Sequence, residues 1–205
     1  MGVSFNDMNQ VHLDVFRELA SIGAGNAVTA LSKMLGKRIY MNVPLVNLLD
    51  FKDISNFIGG PENIIFGILV SLSHDVNGIM MFLIDTNCAH SLINMMIGEQ
   101  HSQDAEFSEL EQSALQEIGN ILCSSYLGSL SSMTGQKILP SPPHLAMDMA
   151  NAILSVPAIE FGKVSDKVLF IESTFTAEQE NVSGYFVLVP DPPSFTKILT
   201  SLGVS

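Results

Sequence analysis

A pattern of three polar residues and a proline occurs twice in this chain, and its two occurrences stand 99 residues apart at every position. Asp14, Glu18, Ser21 and Pro44 are matched by Ser113, Glu117, Asn120 and Pro143. At the same offset Ile22/Ile121, Leu31/Leu130, Ser32/Ser131, Met34/Met133, Gly36/Gly135 and Ile39/Ile138 are identical. A register held from residue 14 to residue 44 marks an internal duplication, which constrains the fold more than any local propensity. The chain must therefore be made of two similar halves, about 1–104 and 105–205. No low-complexity stretch or obvious linker separates them, so residues 1–205 are expected to form a single domain with a shared core.

Periodicity supplies the units. A helix is expected over residues 7–35, stopped at Gly36, with Lys37 and Arg38 just beyond. A second helix begins at the capping box Ser108-x-x-Glu111 and runs to Thr134, stopped by Gly135. Apolar and β-branched stretches follow each helix: 39–49, 64–72 and 78–84 in the first half, and 153–159, 168–175 and 185–189 in the second. Gly59-Gly60-Pro61, Val76-Asn77-Gly78 and Val182-Ser183-Gly184 read as turns. Shorter helices over 87–97 and 193–202 close the halves. The expected fold is thus α/β: two helix–three strands–helix units about a pseudo-two-fold axis, sharing one sheet, with the two long helices laid across it.

Composition removes several functions. Nine Lys and Arg against 21 Asp and Glu leave a net charge of −12, which repels a phosphate backbone and disfavours nucleic acid. The longest apolar runs fall far short of the roughly 18 residues a spanning helix needs, so no membrane insertion is expected. Residues 4–10 are polar, unlike a secretory signal. Cys88 and Cys123 are isolated, one per half, and read as small core residues in a reducing, cytoplasmic setting. The five histidines (His12, His74, His90, His101, His144) show no metal-ligand spacing, so neither metal nor cofactor is expected on this chain.

The duplicated polar residues share a face. At roughly 100° per residue, Ser113, Glu117, Asn120 and Ser124 fall within about 60° of one another, opposite an apolar arc of Leu115, Ile118, Leu122 and Tyr126. In the first helix Asp14, Glu18, Ser21 and Gly25 oppose Phe16, Leu19, Ile22 and Gly23. The apolar arcs are core. The polar arcs offer a carboxylate, an amide and hydroxyls among small residues, with no cation on the stripe, so another surface can approach closely.

Glu117-Ile-Gly-Asn120 and the stretch from Glu18 to Ala27 resemble the CheC/CheX/FliY family of chemotaxis phosphatases. That family's signature is Asp or Ser, three residues, Glu, two residues, Asn, twenty-two residues and Pro. The second copy matches in full; the two copies together cover the chain and fit the family's CheC-like branch, in which no appended flagellar switch domain is expected.

The resemblance implies a phosphatase acting on the phosphorylated response regulator CheY, whose acyl phosphate lies beside a Mg²⁺ bound by the regulator. Asn120 would orient the attacking water and Glu117 would dock the regulator's lysine. The first copy departs from the signature at Ser21. A hydroxyl is shorter than a carboxamide, and losing a positioned water costs on the order of 2–3 kcal/mol, about a hundredfold in rate. The site at Glu18 and Ser21 is therefore expected to be weak or silent. Asp14, Ser113, Pro44 and Pro143 read as supports, the prolines shaping a turn. Asn26 reads as a capping or packing residue. An alternative implied by the same resemblance is a non-catalytic adaptor, sensitive to phospho-CheY, that binds and regulates the receptor deamidase CheD. Another is a structural part of the flagellar switch.

Overall fold

The computed structural model describes residues 8–97, 106–161, 167–177 and 180–204. The first half runs α1 (Gln10–Leu35), β1 (Ile39–Met41), β2 (Leu45–Asp50), α2 (Phe51–Phe57), β3 (Ile64–His74), β4 (Gly78–Asp85) and α3 (Thr86–Ile97). The second runs α4 (Glu109–Thr134), β5 (Ile138–Pro140), β6 (His144–Met149), α5 (Ala150–Phe161), β7 (Lys167–Ala177), β8 (Glu180–Pro190) and α6 (Pro192–Ser201). The offset of 99 holds at the start of each of the first four element pairs. It is lost afterwards because α5 has 12 residues and α2 only 7.

Both long helices are bounded by side-chain chemistry visible in the sequence. Ser108 accepts from the Glu111 N–H, while the buried Glu111 carboxylate accepts from the Ser108 N–H at 2.8 Å and its hydroxyl at 2.7 Å. Asn9 caps α1 with His12 in the glutamate's place, its Nδ1 accepting from the Asn9 N–H. Gly36 and Gly135 end the helices with φ of 62° and 67°, in the left-handed region where a side chain would be strained. The expected start at residue 7 lies outside the described residues, as do His101 and the boundary between residues 104 and 105.

All strand pairings are antiparallel, in the order β1-β7-β8-β4-β3-β5, with β2 also alongside β7 and β6 also alongside β3. The first half's β1 and β2 therefore pair with a strand of the second half, and β5 and β6 pair with a strand of the first. Between these exchanges, β4 and β8 run side by side from Gly78–Pro190 to Leu83–Tyr185.

The sheet is covered on both sides, which is why its strands are apolar on both faces. Phe66, Ile68, Met80, Phe82, Ile171 and Phe186 face the long helices in the larger core. Ile65, Met81, Leu83, Phe170 and Val187 face α2 and α5 in the smaller one. Among the described residues no helix is long and apolar enough to cross a membrane.

Four expectations are corrected. The stretch 39–49 is two strands, because Pro44 has no N–H to donate and, beyond the bond from the Asn42 N–H to the Thr174 carbonyl, the register resumes only at Leu45. Residues 153–159 belong to helix α5, whose buried Ala150, Ile153, Leu154 and Pro157 repeat at helical spacing. With α2, each unit has four strand segments and a third helix. Val182-Ser183-Gly184 is no turn but part of β8, where the glycine admits the Phe82 ring that any Cβ would strike. Ile22, expected in the core, is 42% exposed.

Candidate functional site

Helix α4 is pinned to the sheet by one side of its surface. Leu115, Ile118, Leu122 and Tyr126 are buried, and the Tyr126 hydroxyl shares a hydrogen bond of 2.8 Å with Ser173 of β7. Gly119 lets the helix down onto β3: a Cβ there would lie 2.8 Å from Ile68 Cγ1 and 2.9 Å from its Cβ and Cγ2. The opposite side is thereby presented outward, with Ser113, Glu117 and Ser124 exposed and Asn120 half-buried.

What those side chains do differs. The Ser113 hydroxyl turns back to the Glu109 carbonyl at 2.8 Å. Neither the Glu117 carboxylate nor the Asn120 carboxamide is engaged by any described residue. Pro143 ends the turn between β5 and β6, and its carbonyl accepts a 2.5 Å hydrogen bond from Gln116 Nε2. Ser113, Gln116 and Pro143 line one cleft of about 400 Å³ with Glu109, Gln112 and His144. Glu117 and Asn120 share the helix face but do not line that cleft.

The first copy has the same backbone and different bonding. Asp14, Glu18 and Ser21 are exposed on α1, and Pro44 is buried at the turn between β1 and β2. Arg17 Nη1 binds Asp14 Oδ1 at 2.6 Å, and Gln10 donates to the same oxygen at 3.1 Å. Arg17 lies beside the stripe, not on it, and reaches Asp14 from there. The Ser21 hydroxyl donates to the Arg17 carbonyl at 2.8 Å. Ser21 and Pro44 line a groove of about 310 Å³ whose other walls include Ala24, Val28, Tyr40 and Val43.

Asn26 belongs to neither site; its amide donates to Ser129 at 3.1 Å and ties α1 to α4, a contact between helices where a local capping or packing role was expected. Burial pushes the thiols up, to about 11 for Cys88 and about 12 for Cys123, so both stay protonated at neutral pH. The buried His12 Nε2 meets the Val204 carbonyl at 2.6 Å and so joins the start of α1 to the C-terminal segment. No cluster of three or more His, Cys, Asp or Glu among the described residues is arranged to hold a metal ion. Arg17 and Gln116 escaped the sequence reading because they lie outside the shared pattern. The signal available was their equivalence at offset 99.

The profile of the CheC-like family matches residues 11–48 and 110–147, two segments related by the same offset. The CheY-P phosphatase CheC of Bacillus subtilis is 30% identical over 205 residues, covering 98% of each chain. The flagellar motor switch phosphatase FliY of the same organism is 27% identical over 143 residues, 69% of this chain and 37% of that protein. The crystal structure of Thermotoga maritima FliY has the same fold, with a TM-score of 0.75 at 22% identity over 96% of this chain and 98% of that one. The chain belongs to the CheC-like family.

Proposed function

We propose that this chain hydrolyses the aspartyl phosphate of a phosphorylated CheY-type response regulator, with α4 as the working site. The supporting observation is a half-buried carboxamide, Asn120, beside an exposed carboxylate, Glu117, both unengaged by described residues on a helix locked to the sheet by Gly119 and Tyr126. Groups held rigidly and left without internal partners are ready to bind an incoming surface.

Water attacks phosphorus, the bond to the acyl oxygen breaks, and the regulator's aspartate leaves as a carboxylate with inorganic phosphate as the other product. Such a reaction asks mainly for positioning and charge stabilisation. Asn120 Oδ1 accepts from the water and holds it in line, while Nδ2 donates to a neighbouring acceptor. Glu117 pairs with the regulator's active-site lysine and fixes the docking. The Mg²⁺ of such a regulator lies beside its own aspartate and offsets phosphoryl charge, and no metal or other cofactor is assigned to this chain. The setting is the cytoplasm. The test is the decay of phosphorylated regulator with wild type, Asn120→Ala and Ser21→Ala in parallel. Loss of acceleration in Asn120→Ala alone supports a single working site; no acceleration by wild type rejects the activity.

A second activity, binding of the deamidase CheD, is favoured by an apolar surface on the other side of the sheet. Met147, Val156 and Ile159 are 51, 55 and 73% exposed there, remote from the helix faces that carry Glu18 and Glu117. Val156→Asp is expected to weaken CheD binding in a titration while leaving regulator decay unchanged; unaltered CheD affinity would reject this surface.

A further inference from the structure

Residue 17 of the first copy is equivalent to residue 116 of the second, and the two side chains do different things. Arg17 turns its guanidinium to Asp14. Gln116, with a serine at the position equivalent to Asp14, reaches away from the helix and donates to the Pro143 carbonyl. Residues 116 and 120 are neighbours one turn apart on the helix surface. Helical side chains lean toward the N-terminus, so the Asn120 carboxamide lies over the turn that carries Gln116. The Gln116–Pro143 bond therefore ties the helical turn preceding Asn120 to the loop that ends at Pro143. Among the described residues Arg17 pairs with Asp14 and makes no such bond, and Ser21 and Pro44 border an apolar groove instead.

We infer that Gln116 is a positioning residue of the second site, and that Arg17, because Asp14 holds it, adds to Ser21 in separating the two copies. The inference rests on the phosphatase reading above. It acts through Pro143, not on the phosphoryl group, so its effect falls on docking more than on the chemical step. One consequence is that Ser21→Asn alone does not rebuild the first site, because Arg17 stays with Asp14 and does not tie the turn preceding the new amide to the Pro44 loop.

The test uses the full chain and a response regulator activated with beryllofluoride, which reports docking without turnover, alongside decay kinetics of the phosphorylated form. Gln116→Glu keeps the side chain's shape but offers no donor to the carbonyl; Kd and KM are expected to rise about tenfold with kcat within about twofold. Gln116→Arg retains a donor and is expected to stay within about threefold of wild type in both. Unchanged Kd in Gln116→Glu overturns the assignment, and so does an equal rise in Gln116→Arg. A drop in urea midpoint with docking unaltered assigns Gln116 to stability alone and also overturns it.

In an Asn120→Ala background, Ser21→Asn with Arg17→Gln should exceed Ser21→Asn by about tenfold in kcat/KM. Equal rates for the two variants reject the paired difference. Wild type that binds the activated regulator yet does not speed phosphate loss rejects the phosphatase reading and leaves the docking role of Gln116 decided by Kd. Wild type that neither binds nor accelerates removes both.

Discussion

Helices α1 and α4 are the same element made twice, and their outward faces teach how little change separates a site from a scaffold. Each has 26 residues, a capped start, a left-handed glycine stop and a glutamate at the same place on the outer face. In α1 the polar groups around that glutamate are consumed locally: Arg17 by Asp14, the Ser21 hydroxyl by its own helix backbone. In α4 the amide at the equivalent of Ser21 is left unengaged by described residues, and the amide at the equivalent of Arg17 is spent on a neighbouring turn. A face whose other polar groups are spent locally leaves a partner only the Glu18 carboxylate. The α4 face, held rigid by its buried side, leaves an amide as well.

The largest effect should come from the amide itself. Asn120→Ala is expected to slow catalysed decay of the phosphorylated regulator about a hundredfold, near the cost of an unplaced water, while Ser21→Ala stays within about twofold. Comparable losses in both, read from phosphate release, would end the asymmetry. Next, Glu117→Gln should raise KM about tenfold by removing a charged docking contact, and Glu18→Gln should leave KM within about twofold.

A smaller difference is structural. Gly119→Ala, which drives a Cβ into Ile68, should destabilise the fold by about 1–3 kcal/mol in urea unfolding. At its counterpart, Ala20→Gly should cost about 1 kcal/mol from helix propensity. A Gly119→Ala chain as stable as wild type would show that α4 is not held down against Ile68.

The smallest effect tests a tie between the halves, where Lys197 of α6 binds Asp75 of the β3–β4 turn at 3.2 Å. The Lys137 backbone N–H and this lysine hold the exposed Asp75 carboxyl below its ordinary value. A lowered folded value stabilises the fold above the usual carboxylate range, and that contribution is lost as pH falls through the folded value. Asp75→Asn should therefore flatten the acid limb of the stability curve slightly; an unchanged limb would show that the pair contributes nothing measurable.

Much of this was legible before any coordinates. The capping box at Ser108, the stops at Gly36 and Gly135 and the buried arc from Leu115 to Tyr126 are legible in the sequence because each depends on residues within a few turns. The stretch 153–159 has a local signal for a helix, since Ala150, Ile153, Leu154 and Pro157 repeat at helical spacing, but a short apolar run with β-branched residues also fits a buried strand. Gly184 has no such signal. Its neighbours resemble a turn, and only the Phe82 ring across the sheet explains the glycine.

The sequence alone determined the two-fold repetition, the long helices and which side of each is buried, since these follow from spacing along one chain. Tertiary structure decided that β1 and β2 pair with β7 and that β5 and β6 pair with β3, an exchange between halves that no local pattern encodes. It also decided that Gln116 turns to Pro143 while Arg17 turns to Asp14. The direction of a donor depends on which acceptors lie within reach in space, and those acceptors come from parts of the chain that meet only when it folds.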